Sequence, residues 1–235
     1  MTDTTVLTAH QAAAAPETSR VAPTCLIGAA VLFAAAWYLM PVAGETDAQE
    51  IFRIVTPQRG AVLAAAIVQL VAATIYVPAM IGIIRNTASP LASKVWRPAS
   101  ILIVGTLGLA TDAIDHLLSY AMTAPGVDQG AQVQVMEFMQ GPALLLIVPL
   151  LASFFVGAVW LSVSYAKAGE ISRWNPALYV VALIIAVGGA VLVSTTGVVE
   201  ARPVGVATLW TVAAAQLWLG FALWRKRSTR EVIRD

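Results

Sequence analysis

Six long apolar blocks recur along this chain, each bounded by a short run of polar, charged or proline positions. They run from Cys25 to Val42, Gly60 to Ile84, Ala99 to Met122, Pro142 to Ala166, Pro176 to Thr196 and Val204 to Trp224. Apolar runs of about 18 residues or more read as membrane spans. At about 1.5 Å rise per residue each block crosses a hydrocarbon layer of about 30 Å, the longer ones with tilt. Hydrocarbon offers no water to backbone amides and carbonyls, so each span has to be a helix. Pro142 and Pro176 open the fourth and fifth blocks, where a helix's first turn tolerates a residue without an amide hydrogen. The pattern predicts an all-α, polytopic membrane bundle of six transmembrane helices.

The punctuation carries its own expectations. The two longest connections, Gly44–Arg59 and Thr123–Gly141, fall on the same side of the membrane and read as loops. Within the second, Gly130–Gln140 predicts a short helix. Val133, Met136 and Met139 recur there at helical spacing, so one side can rest on lipid or protein. Pro78 and Pro149 lie inside the second and fourth spans. Each removes a backbone donor and frees a carbonyl one turn back, at Thr74 and Leu145, which predicts kinks.

Composition reinforces the membrane reading. The chain is 59% apolar and 11% charged, against roughly 25% charged in soluble domains. It lacks the charged residues to clothe a soluble core. The net charge of +1 gives no electrostatic case for nucleic acid. Cys25 is the sole cysteine, which excludes an intrachain disulfide and a thiolate metal cluster. Residues 1–24 read as a disordered polar tail, and the first block as a retained span. A secretory signal would place its positive charge directly before a shorter apolar run. In a lipoprotein signal the apolar run would precede the cysteine of APTC, Ala22–Cys25; here it follows.

Charge also predicts orientation. Eleven of the fourteen Lys and Arg residues lie before span one, between spans two and three, between four and five, or after span six; only Arg53, Arg59 and Arg202 lie on the other side. The positive-inside rule then places both termini in the cytoplasm of a cell-membrane protein. Trp96, Trp174 and Trp224 would share that interface, at the headgroup level that aromatic rings favour. The basic tail, residues 225–235, reads as a cytoplasmic anchor that can touch anionic lipid.

Span three holds the candidate chemistry. The stretch ATDAIDHLLSY, Ala110–Tyr120, sets Asp112, Asp115 and His116 inside an otherwise apolar helix. Counting from Arg97, Asp112 lies about 22 Å along, in the outer half of the hydrocarbon, and Asp115 and His116 approach the outer boundary. Gly105, Gly108, Asp112, Asp115, His116 and Ser119 share a face at three- and four-residue steps. The glycines allow close approach of a neighbouring helix. A lipid-facing aspartate costs about 2.5 to 3.5 kcal/mol at mid-span, so the polar face is expected to turn inward. Two carboxylates and a histidine so arranged can hold a proton, bind a cation or present an acid to substrate.

Expected co-liners in the outer half are Gln69, Ser119, Tyr120, Ser194, Thr195, Trp210 and Thr211. A structural alternative stays open: Asp112 hydrogen-bonded to a neighbouring helix, Asp115 and His116 emerging among headgroups, and Arg59 or Arg202 paired with Asp115. No metal or other cofactor is expected. One histidine in a span gives no bis-histidine haem, since His10 is in the tail. Asp112, Asp115 and His116, even with Glu137, lack the ligand pairing of a zinc motif. Phosphate loops, dinucleotide fingerprints and nucleophile elbows are absent from the sequence.

Three functions fit these features. The leading one is a small membrane protein holding a hydrophobic or amphiphilic molecule, or a proton, in a polar cavity open to the outer leaflet, with proton-coupled transport as its activity. A second is an enzyme using Asp112 as general acid on an isoprenoid or lipid, with Tyr120 and Trp210 lining the site. A third is a non-catalytic accessory subunit. Membrane lipids are expected partners, with a homo-oligomer or a membrane-complex partner as further options.

Overall fold

The computed structural model describes residues 20–87, 90–196 and 200–232; most of the expected N-terminal tail, His10 included, lies outside the described residues. Among the described residues there are seven helices and no strand. They are α1 (Val21–Leu39), α2 (Ala48–Asn86), α3 (Ala92–Met122), α4 (Gln129–Met139), α5 (Leu144–Lys167), α6 (Trp174–Thr196) and α7 (Ala201–Val232). All but α4 are long and apolar enough to cross a membrane. This is the architecture of a multi-pass integral membrane protein. With six crossings, α1 begins and α7 ends on one side, the terminal side. The short helix α4 lies on the opposite side.

The spans pack in the order α5, α3, α2, α1, α7, α6, and α6 closes on α5 by a thinner contact. Lipid tails are as apolar as leucine, so close backbone packing rather than hydrophobicity draws helices together within the bilayer. The α3–α5 crossing illustrates this. A Cβ at Gly108 would lie 2.5 Å from the Leu151 amide nitrogen, and one at Gly157 2.6 Å from that of Leu102. Gly105 abuts the Phe154 backbone in the same way. The close approach expected at Gly105 and Gly108 is therefore present, and the approaching helix is α5. Alanines serve the α1–α2 seam, where Ala22, Ala29, Ala72 and Ala79 are buried. Bulk at the centre comes from Phe33, Tyr76 and Phe154, each fully buried. Their rings form a layer, with Phe154 5.8 Å from Phe33 and 5.2 Å from Tyr76 between centroids.

Away from the terminal side, a second cluster caps the bundle. Met40, Val42, Phe52, Val55, Met122 and Met136 are buried together. Here water competes for contact, and burying a large apolar side chain is favourable by about 1.5 to 3 kcal/mol. Met136 is the inward residue of α4, and Val133 packs beside it, so the predicted short helix rests on protein.

The Gly44–Arg59 segment was expected as a loop but is helical from Ala48. Asp47 Oδ1 accepts from the Glu50 amide at 2.8 Å, while Arg53 pairs with Glu50. Such a cap satisfies an otherwise orphaned amide, and Ile51, Phe52 and Val55 supply the buried face. The spacing of Asp47 and Glu50 is the available sequence signal, an acidic variant of the capping box. The helical dihedrals break at Gln58, just after Pro57, and not at Pro78. The basic segment after Trp224 was expected as a tail; it continues α7 to Val232. No glycine or proline interrupts it, and cations suit a helix C-terminus.

Candidate functional site

Asp112 lies on the α2–α3 seam. Gln69 Nε2 donates to Asp112 Oδ2 at 2.6 Å and also approaches the Leu109 carbonyl at 3.2 Å. His116, one turn beyond Asp112, brings Nε2 to 3.6 Å from the same Asp112 oxygen. That is ion-pair range but longer than a hydrogen bond. Asp112 thus faces α2 and its own helix, with its side chain 17% exposed. Gln69 can do this because it is buried midway along α2, on the face that meets α3.

Asp115 and His116 are 7% and 9% exposed. They do not emerge among headgroups, as the structural alternative expected. Counting residues along α3 misses what covers them: α4 and the first turns of α2 close over this end of the bundle. Gln140, the C-cap of α4, donates from Nε2 to Asp115 Oδ2 at 3.3 Å. Ser119 is buried below α4, with its hydroxyl donating to the Asp115 carbonyl at 3.0 Å and lying 3.9 Å from the Met136 sulfur. Trp37 of α1 stands edge-on to the His116 ring, 6.0 Å between centroids. Asp112, Asp115 and His116 therefore touch groups from α1, α2 and α4.

Arginines do not close this cluster. Arg59 donates to the Tyr120 carbonyl at 3.0 and 3.3 Å and stacks its guanidinium 4.4 Å from the Tyr120 ring centre. Arg202 donates to the carbonyls of Tyr38 and Met40. Both spend their charge on helix C-terminal carbonyls at this face. Tyr120 consequently belongs to the Arg59 contact.

The remaining expected co-liners sit elsewhere. Ser194 and Thr195 are exposed, and both hydroxyls bond to the Val191 carbonyl of their own helix. Thr211 likewise bonds to the Ala207 carbonyl. Trp210 Nε1 donates to the Ala34 carbonyl at 2.9 Å, and its ring lies against Tyr38. The reason is packing order: α6 packs on α7 and more thinly on α5, and α7 packs on α1, whereas α3 packs on α2, α4 and α5. Gln69 alone of the expected co-liners bonds a carboxylate; Ser119 meets only the backbone carbonyl of Asp115. Sequence reasoning missed Gln140 and Trp37. Nothing local marks Trp37, but Gln140, at the end of a predicted outer helix, was a visible amide close to span three's acids in the chain.

Asp115 Oδ1, His116 Nε2 and Gln69 Oε1 are buried without a hydrogen-bond partner among the described residues. One inter-helix pin would be completed by Gln69 and Asp112 alone. The polar valences left over exceed what such a pin uses.

Beside the cluster, α1, α6 and α7 enclose an apolar groove of about 520 Å³. Trp37, Ala190, Val204 and Leu209 line it, so the Trp37 indole separates the groove from His116. No protein-family profile, curated protein or solved structure matches this chain.

Proposed function

We propose that this integral membrane protein holds an exchangeable proton on Asp112, shared with His116 and influenced by Asp115, in the half of the bundle away from the termini. The reading rests on one observation: Asp112 Oδ2 is 2.6 Å from Gln69 Nε2 and 3.6 Å from His116 Nε2. A carboxylate so placed has a donor that holds its orientation and an imidazole within relay distance of a small shift. Imidazole titrates in the physiological range, which suits it to pass a proton. Asp115 sits one turn from Asp112 with one oxygen held by Gln140, so charge on either carboxylate is felt by the other.

The activity we assign is coupled movement of a small hydrophobic or amphiphilic molecule, seated in the groove beside Trp37. The apolar lining fits such a molecule, and Trp37 provides the physical contact through which its presence reaches His116. The terminal side is assigned to the cytoplasm of a cell-membrane protein from its excess of Lys and Arg.

The test is solid-state NMR of the protein in bilayers, with labelled aspartate and histidine, across the range in which carboxylates and imidazole ordinarily titrate, about pH 4 to 8. We expect the His116 and Asp112 resonances to move together, and Asp112→Asn to alter the His116 titration. Resonances that stay fixed throughout would remove the proton site. Lipid and metabolite extraction from the wild-type protein and Asp112→Asn then addresses cargo. A molecule retained by the first and lost from the second supports coupling. Conversion of that molecule in detergent, without a gradient, would instead make Asp112 the general acid of an enzyme.

A further inference from the structure

A second polar cluster lies in the terminal-side half of the bundle, apart from the acids. Tyr76 of α2 hydrogen-bonds to Gln216 Oε1 of α7. Asn175, in the first turn of α6, donates to the neighbouring Ala215 carbonyl at 2.7 Å. Tyr179 is one turn further along α6, with the Ser162 hydroxyl of α5 near its own but in no hydrogen-bonding geometry with it. Ser162 and Asn175 are 0% exposed, Gln216 2% and Tyr179 6%. Yet Gln216 Nε2, Asn175 Oδ1, Tyr179 Oη and Ser162 Oγ have no hydrogen-bond partner among the described residues.

The bonds already made account for only one half of each amide. The four remaining groups are an amide donor, an amide acceptor and two hydroxyls, converging from three helices. Nearly all buried polar groups find a partner. This set carries no ionised side chain, and its mixture of donors and acceptors matches a molecule that is both. Buried water makes about two to four hydrogen bonds, so one or two molecules complete the set.

An open groove is lined by residues that neighbour this set in the chain. A terminal-side groove of about 710 Å³ is lined by Ile171, one turn before Asn175, and by Trp218, just past Gln216. Lys226 donates to Glu170 at 2.6 Å across its lining. The α5–α6 contact beside it is the thinnest between consecutive spans. Toward the acids, by contrast, the Phe33–Phe154 layer is fully buried and apolar. Gln69 and Tyr76 lie seven residues apart on the buried face of α2, about 10 Å along the helix. The two polar clusters are thus stacked on one helix face with an aromatic layer between them.

We propose that Gln216, Asn175, Tyr179 and Ser162 form an internal water-binding site, filled from the terminal side past Glu170 and Lys226 and closed from the Asp112 cluster by Phe33 and Phe154. The inference does not depend on proton exchange at Asp112.

X-ray radiolytic labelling in water enriched with oxygen-18 tests it on the full chain in lipid nanodiscs. Radicals generated from bound water oxidise adjoining side chains, whatever their surface exposure. Tyr76 and Tyr179 are expected to take up label roughly tenfold faster than Phe33 and Phe154 after correction for intrinsic reactivity, because only the tyrosines adjoin held water. Ser162→Val, which removes a hydroxyl and fills its space, should slow labelling of Tyr179. Glu170→Gln should speed exchange of the label into the site. Asp112→Asn should change none of these rates. Tyrosines labelled as slowly as the two phenylalanines would overturn the site, and an exchange rate indifferent to Glu170→Gln would overturn the route.

Discussion

Gln69 Nε2 and Asp112 Oδ2 are 2.6 Å apart, joining the middle of α2 to the half of α3 away from the termini. The bond unites a buried position and a half-buried one that are 43 residues apart in the chain. It also turns the carboxylate toward protein and away from acyl chains, which is the condition a proton site in this bundle has to meet.

Replacing Gln69 by leucine deletes that donor while keeping similar bulk. Asp112 is then left with His116 alone. We expect stability to fall by about 1 to 2 kcal/mol, the scale of a buried hydrogen bond to a charged group tempered by what membrane helices show. Unfolding in mixed micelles measures it. A variant as stable as the parent would mean that the Gln69–Asp112 contact contributes nothing to the α2–α3 seam.

Gly108→Ala should be costly, because its Cβ would meet the Leu151 amide nitrogen at 2.5 Å and push α5 from α3. Overpacking of this kind costs about 1 to 3 kcal/mol. Gly188→Ala, with no atom within 4 Å of the added carbon, should be neutral or stabilise α6 by up to about 1 kcal/mol. The same unfolding measurement compares them, and equal effects would contradict the glycine-mediated crossing.

Asp47→Ala removes the side chain that caps α2. The expected cost is about 1 kcal/mol, concentrated in the Ala48–Pro57 segment ahead of the break at Gln58. Hydrogen exchange should accelerate at the Glu50 amide, which Asp47 now holds at 2.8 Å, while amides beyond Gln69 keep their rates. Acceleration along the whole helix would show that the segment is not a separate cap.

Orientation is checked by single cysteines placed in a Cys25→Ser background. Gln134 is exposed on α4 and Ser93 at the start of α3, on opposite sides of the bundle. In intact cells a membrane-impermeant maleimide should label Gln134→Cys, and should label Ser93→Cys only after permeabilisation. The opposite pattern would invert the assignment drawn from Lys and Arg.

By itself the sequence determined that six helices span a membrane, roughly where each begins and ends, and that Asp112, Asp115 and His116 share a face of the third. These follow from local physics: hydrocarbon demands uninterrupted apolar runs with internally bonded backbones, and helical periodicity fixes which side chains share a face. The spacing of Asp47 and Glu50 also marks the start of α2. Tertiary structure alone decided that Gln69 and Gln140 hold the carboxylates, that Trp37 meets His116, that α4 buries what depth counting put at the surface, and that Ser194, Thr195, Trp210 and Thr211 lie with other neighbours. Helices of nearly uniform apolarity do not encode their partners in hydrophobic pattern. The order of packing comes from where glycines and alanines let backbones touch, and that order brings together residues far apart in the chain.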